Sequence, residues 1–501
     1  MQVACDRRSN AVHTDGSPET LAAMTSRSRP SVGGVLARMQ RDFRRGLLVG
    51  VLATAMLLGA CGGADPLSAQ TEPQNPSGLL DKDRQPFPTT PAAGTGPLTA
   101  PVRDALASIA PALRQQRFPA DAVRTIGGSG DPRLLWYLYD LLRLATRDGV
   151  PVVVEAFEQL SGTEFAGEPF TAMGDRILAW NLPAPPSYRQ LKRDLFLLIE
   201  PRWAPFFDDE DSAIDWRLVG WGGVFIDDRL VATAGEICPR GCIPALDAPA
   251  VTDAAGGSWY PDDALVFGVV VNGEARAYPK HIMEVHEMVN DTLGGRRLAI
   301  PYCTLCLSAQ AYFTDDVDGF APLLRTSGLL SRSNKFMYDI ATFSAVDTFT
   351  GEAISGPLLD AEVTLNQATV VTSPWGAWRT AHPDTTIIAE DGGIGRSYPL
   401  DPLRGRDDGG PIFPVGDVDP RLGVHEVVLG VLNADGTPVA FPVGSARLAL
   451  EAGEDVALAD VTLQPDSGGL RAFTDGEEIP AHEAFWFAWS QFQPQTRLWE
   501  R

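Results

Sequence analysis

Cys303-Thr-Leu-Cys306 puts two thiols three residues apart. Two thiolates at that spacing can clamp one metal ion, each at about 2.3 Å, and the same spacing makes a reactive disulfide. In thioredoxin-like redox pairs the cysteines cap a helix, whose dipole lowers one thiol pKa. Here Ile300-Pro-Tyr302 precedes and Leu307-Ser-Ala-Gln-Ala-Tyr-Phe313 follows, an alternation closer to strand–turn–strand and more like a metal knuckle. Cys238-Pro-Arg-Gly-Cys242 offers a second pair. Together the pairs could form a four-thiolate metal site or two ordinary disulfides in an exported protein. Structural disulfides lead these readings, ahead of a metal site and then redox turnover.

His286-Glu287, with His281, is the next candidate. Two thiolates with the His286 imidazole would leave one coordination position open, a catalytic-type set for a transition metal such as Zn or Cu. Glu287 would orient the imidazole from behind or shuttle protons. Neighbouring helical residues point about 100° apart, so His286 and Glu287 cannot both address one ion directly. A hydrogen-bonded structural histidine is the commoner outcome. Arg276 and Tyr278 alternate on a strand and share a face, as a cleft wall or as half-exposed ladder residues. Asn290-Asp291 before Gly294-Gly295 reads as a turn. Trp375/Trp378 and Trp486/Trp489 recur at i, i+3 on short helices, a spacing for core packing rather than sugar stacking.

The elements that position these groups follow from periodicity. Residues 102–205 read as a small helical domain: Asp131-Pro132 starts a helix, and Leu134, Leu135, Leu138, Leu141 and Leu142 recur at three- and four-residue spacing. From Trp216 the pattern becomes short strands, at 218–226, 264–271, 275–278, 298–302, 335–339 and 344–349. Asn272-Gly273 is a hairpin turn, and Pro279 opens the short helix carrying His281, His286 and Glu287. Trp375, Ala377, Trp378, Pro383 and Thr385 recur as Trp486, Ala488, Trp489, Pro494 and Thr496 at a constant offset of 111. The fold class expected is α+β: a small N-terminal helical domain (102–205), then a β-rich module (206–395) with a reduced second copy (396–501) that lacks cysteine.

The first hundred residues concern location. Gly46 to Ala60 is an uncharged apolar run behind Arg41, Arg44 and Arg45, and it ends at Cys61. A basic flank, an apolar core and small residues before a cysteine resemble a bacterial lipoprotein signal, with Cys61 the lipidated residue. The run is short of the roughly 20 residues of a bilayer span. Residues 1–61 are therefore expected to be an upstream extension plus signal, with the start at Met1, Met24 or Met39 left open, and 62–101 a Pro/Gly-rich tether. The membrane is then a partner through the lipid, outside the cytoplasm. The chain carries 41 Lys+Arg against 64 Asp+Glu, and residues 61–501 carry 33 against 60, a net charge of −27. Such a surface repels nucleic acid and anionic lipid. There is no Walker loop, no Gly-x-Ser-x-Gly and no His-Glu-x-x-His.

One resemblance organises the β-rich part. Val269-Val-Val-Asn-Gly-Glu-Ala-Arg-Ala-Tyr-Pro279, His286-Glu287, Asn290-Asp291, Gly294-Gly295, Tyr302-Cys-Thr-Leu-Cys306, Ser327-Gly-Leu-Leu, Met337-Tyr-Asp and Thr350-Gly-Glu-Ala-Ile-Ser-Gly356 occur in that order. Together they resemble the domain-of-unknown-function family 3179 over roughly residues 210–499. The resemblance implies an often secreted or lipidated protein and supplies no activity. In that family the cysteine pair usually encloses Pro-Leu, here Thr304-Leu305. A strand that usually carries Trp-Gln reads Ala345-Val-Asp347 here. The function expected is an exported, lipid-anchored binding or structural module with structural cysteines and an unidentified small-molecule or protein partner. The alternative is a metal-binding or thiol-redox protein using Cys303, Cys306 and His286.

Overall fold

The computed structural model describes residues 87–165, 167–230, 241–405 and 411–501. Cys61, the apolar run before it and Cys238 lie outside them. Within them the helix expected after Asp131-Pro132 forms. Asp131 caps a turn by accepting from the Arg133 N–H, Pro132–Leu134 leads into Leu135–Leu142, and Val150–Ser161 stops at Gly162 in the left-handed region. Among the described residues no helix is long and apolar enough to cross a membrane.

The fold class expected from the sequence is corrected by the sheets. Five separate sheets of four to six strands make up the body, the blade count of a five-bladed β-propeller, and most of the twelve described α-helices lie in the N-terminal part. The helices also lie against the sheets. Trp203 donates to the Ser327 carbonyl at 2.8 Å, and the Phe206 ring meets Phe336, Tyr338 and Phe343. The correction has a physical reason. Periodicity marks strands, but which strands pair is a long-range matter: Val219–Trp221 pairs with Leu324–Ser331, more than 100 residues on.

The offset-111 echo marks two sheets of one plan rather than a module and its reduced copy. In one, the hairpin Leu265–Val271/Glu274–Pro279 is flanked by antiparallel Val371–Pro374 and parallel Thr386–Ile388. In the other, Val427–Leu432/Pro438–Pro442 is flanked by antiparallel Ala481–Phe485 and parallel Arg497–Leu498. Each antiparallel flanking strand runs into a short helix, Trp375–Ala381 or Trp486–Phe492. The second tryptophan of each, Trp378 or Trp489, is buried over a strand glycine. It donates to Thr385 or Thr496, at 2.9 Å in both. A Cβ on Gly268 would lie 2.2 Å from the Trp378 ring, and one on Gly430 2.1 Å from Trp489. Both glycines are therefore required by packing. Gly268→Ala and Gly430→Ala should each cost about 2 kcal/mol by overpacking. Thermal unfolding of the purified variants checks this, and an unchanged midpoint would show that the rings are free to move.

The candidate site lies where three sheets meet. Arg296–Cys303 of one turns through Thr304–Leu307 into Ser308–Ala309, with Cys303 opposite Ser308. Asn334–Asp339 and Ala345–Asp347 belong to a second. The carbonyl of Cys306 accepts from the Phe485 N–H of a third at 2.8 Å.

Candidate functional site

Cys303 and Cys306 are free thiols, both buried, in the strand–turn–strand setting read from their flanks. Both lean on Ser333: Cys303 Sγ lies 3.6 Å from its carbonyl oxygen and Cys306 Sγ 3.6 Å from its hydroxyl. Burial works to raise the Cys303 thiol, but hydrogen bonds from the Cys306 side chain and from backbone N–H groups of Cys306, Lys335 and Leu305 outweigh it. Cys303 is held below the ordinary thiol value. Cys306 is pushed well above it, by burial first, then by its hydrogen bond to Cys303 and the negative charge favoured there. The pair thus reads as one thiolate-favouring sulfur beside one thiol.

The ion pair beneath them is a feature that sequence reasoning missed. The helix Lys280–His286 ends at Glu287 in the left-handed region, with φ of 54°. That backbone turn directs Glu287 away from His286. Its carboxylate contacts the Lys335 ammonium and accepts from the Thr304 hydroxyl at 3.2 Å, inside the cysteine turn. Lys335 is buried, and desolvation drives it down to about 7, while the carboxylate against it favours the charged form. The signal was a lysine inside a strand that is otherwise all core, Asn334–Asp339. Asp347 is raised to about 6 by burial and adds negative charge near Cys306.

The other candidates sit elsewhere. His286 does not join the thiols. Its Nδ1 donates to the Pro244 carbonyl and its Nε2 accepts from the Tyr398 hydroxyl, both at 2.8 Å, and burial holds it at about 4, neutral at pH 7. Arg276 and Tyr278 do share a face, and both donate to Asp291 Oδ2, at 2.7 and 2.9 Å, in a buried cluster. Asn290-Asp291 are not a turn: they belong to the strand Met288–Leu293, and only Gly294-Gly295 turn the chain. Cys242 is disulfide-bonded. Among the described residues no group of three or more His, Cys, Asp or Glu side chains could hold a metal ion.

Residues 240–473 match the family described as "Protein of unknown function (DUF3179)". That stretch is a DUF3179 domain. Comparison with curated proteins and with solved structures returns no match. The DUF3179 segment contains the cysteine turn, Glu287, Lys335 and Asp347.

His482, just beyond that segment, lies between Gln310 and Gln367, 3.3 and 3.1 Å from their side-chain nitrogens. Burial depresses it to about 4. A depressed histidine binds fewer protons folded than unfolded, so its stabilising effect is complete above pH 6.5 and is lost as pH falls toward 4. Glu483, raised to about 7 by burial, acts in the opposite sense. Comparing His482→Asn with the native chain isolates the histidine. The slope of unfolding free energy against pH between 6.5 and 4 should fall by about 1.4 kcal/mol per pH unit in urea titrations. An unchanged slope would mean that His482 is already protonated in the folded chain.

Proposed function

We propose that this DUF3179 protein is a thiol–disulfide redox protein acting at Cys303 and Cys306. The observation that carries the proposal is two free thiols converging on Ser333 over the buried Lys335–Glu287 pair. Among the described residues no third His, Cys, Asp or Glu completes a metal set with them. The lowered pKa of Cys303 supports its role as nucleophile. Cys303 keeps 4% of its surface and Cys306 none, so an incoming group meets Cys303 first.

The co-reactant is a disulfide, on a protein or a small molecule. Cys303, as thiolate, attacks one of its sulfurs. That S–S bond breaks, and the departing sulfur leaves with the electron pair and takes up a proton. Cys306 then loses its proton and attacks Cys303 Sγ, which breaks the mixed disulfide and releases the second partner sulfur. Two electrons and two protons pass from this dithiol to the partner's disulfide. The exported, Cys61-anchored location expected from the sequence belongs to the same proposal, because an oxidising compartment supplies such disulfides. Globomycin-sensitive processing at Cys61 tests that part; an unprocessed chain in the cytosol would remove it.

The chemistry itself is tested by mixing the reduced full chain with oxidised glutathione and mapping the products by mass spectrometry. A Cys303–Cys306 bond with matching release of glutathione is the expected product. Two thiols that remain unmodified after hours would overturn the proposal.

A further inference from the structure

One hairpin turn touches both sulfurs. Leu324–Ser331 and Asn334–Asp339 are joined by the two residues Arg332-Ser333, with Ser331 opposite Asn334. Such tight turns need left-handed backbone, and Arg332 supplies it with φ of 52°. The Arg332 N–H donates to the Leu218 carbonyl at 2.8 Å, which ties the turn to a neighbouring segment. Ser333 is thereby held over the cysteine turn, and only 1% of it is exposed.

The two groups that Ser333 offers the sulfurs differ in kind. Its carbonyl, 3.6 Å from Cys303 Sγ, can only accept, so it orients the thiol form. Its hydroxyl, 3.6 Å from Cys306 Sγ, both donates and accepts. It accepts from the Cys306 S–H and, after rotation about its Cβ–Oγ bond, donates to a Cys306 thiolate. The other buried hydroxyls at the cysteine turn are committed elsewhere: Thr304 donates to Glu287 at 3.2 Å and Ser308 to Asn334 Oδ1 at 3.4 Å. Burial and Cys303 push the Cys306 thiol up, and the Ser333 hydroxyl pulls it the other way.

We propose that Ser333 is a positioning residue for the second step of exchange: its hydroxyl holds the Cys306 sulfur beside Cys303 and donates to it once it is a thiolate. The inference rests on the thiol–disulfide reading above. In that step Cys306 gives up its proton and its Sγ forms a bond to Cys303 Sγ. The bond from Cys303 to the partner's sulfur breaks, and that sulfur leaves with the electron pair and takes up a proton. Cys306 is fully covered, so bulk water does not solvate its thiolate. The Ser333 O–H supplies the hydrogen bond that water would otherwise give.

The test is rapid mixing of the reduced full chain with oxidised glutathione, in enough excess for the mixed disulfide to build up, then acid quenching and mass spectrometry. Loss of a hydrogen bond to a charged group lowers the thiolate fraction about thirtyfold. The more basic thiolate is about fivefold more nucleophilic, so Ser333→Ala should close the Cys303–Cys306 bond about sixfold more slowly. Formation of the mixed disulfide on Cys303 should keep its native rate, because the carbonyl at position 333 remains. Ser333→Thr, which keeps the hydroxyl, should restore most of the native closure rate. Native closure in Ser333→Ala, a Thr variant no faster than the Ala variant, or both steps slowed together would each overturn the role of Ser333 alone. A native chain that forms no mixed disulfide would overturn the redox reading, and this role with it.

Discussion

Cys303→Ser abolishes disulfide exchange, whereas Cys306→Ser stops it halfway. Without Cys303 the attacking sulfur is gone, and Cys306, raised by burial and fully covered, cannot replace it. A thiol that stays protonated at neutral pH reacts only through its small thiolate fraction, so the rate should fall at least about a hundredfold. Without Cys306 the first step still occurs, and the mixed disulfide on Cys303 has no internal thiol to resolve it. Cys306→Ser should therefore accumulate one glutathione per chain, mapped to Cys303. Serine keeps the size of cysteine, so both variants should unfold close to the native temperature. If the modification appeared on Cys306 instead, or if both variants exchanged at the native rate, the assignment of roles would be wrong.

The ion pair under the cysteine turn governs stability as strongly as the thiols govern exchange. Glu287→Gln leaves the Lys335 ammonium buried without its carboxylate, and breaking a buried pair on one side costs about 3–5 kcal/mol. The cost should depend on pH. Burial already holds Lys335 down at about 7 beside the carboxylate, and removing Glu287 lowers it further below the unfolded value of about 10.4. The folded variant then binds fewer protons than the unfolded chain between those values, so its stability rises as pH goes from 7 to 10. Replacing both partners at once, Glu287→Leu with Lys335→Met, should recover most of the loss, because an apolar pair of similar volume escapes the desolvation cost. Thermal unfolding of the three variants at pH 7 and pH 9 checks the whole pattern. A double variant no more stable than Glu287→Gln would mean that the pair holds the turn by geometry, through Thr304, rather than by charge.

How much of this was legible in the sequence depended on range. The hairpin at Asn272-Gly273 was readable because two adjacent residues with positive φ, 49° and 83°, belong to one local turn. The strand–turn–strand setting of Cys303 and Cys306 was readable for the same reason, from four residues and their flanks. The tryptophan spacing pointed to core packing, and both Trp378 and Trp489 are buried over glycines. Asn290-Asp291 misled because their side chains favour turns locally. In the fold, Asp291 is fixed instead by Arg276 and Tyr278 from another sheet. Glu287 was placed behind His286 because they are neighbours in sequence, but one left-handed residue at the helix end sends its carboxylate to Lys335, 48 residues away. That pairing, and the number of sheets, come from tertiary contacts that no local pattern encodes.

The central claim is that Cys303 and Cys306 form one redox couple. It is tested most directly by equilibrating the full chain across glutathione buffers of graded potential, trapping thiols by alkylation and reading each cysteine by mass spectrometry. A single two-electron transition is predicted, with Cys303 and Cys306 losing and regaining alkylation together. Two thiols that stay reduced across the whole range, or that oxidise independently of one another, would contradict it.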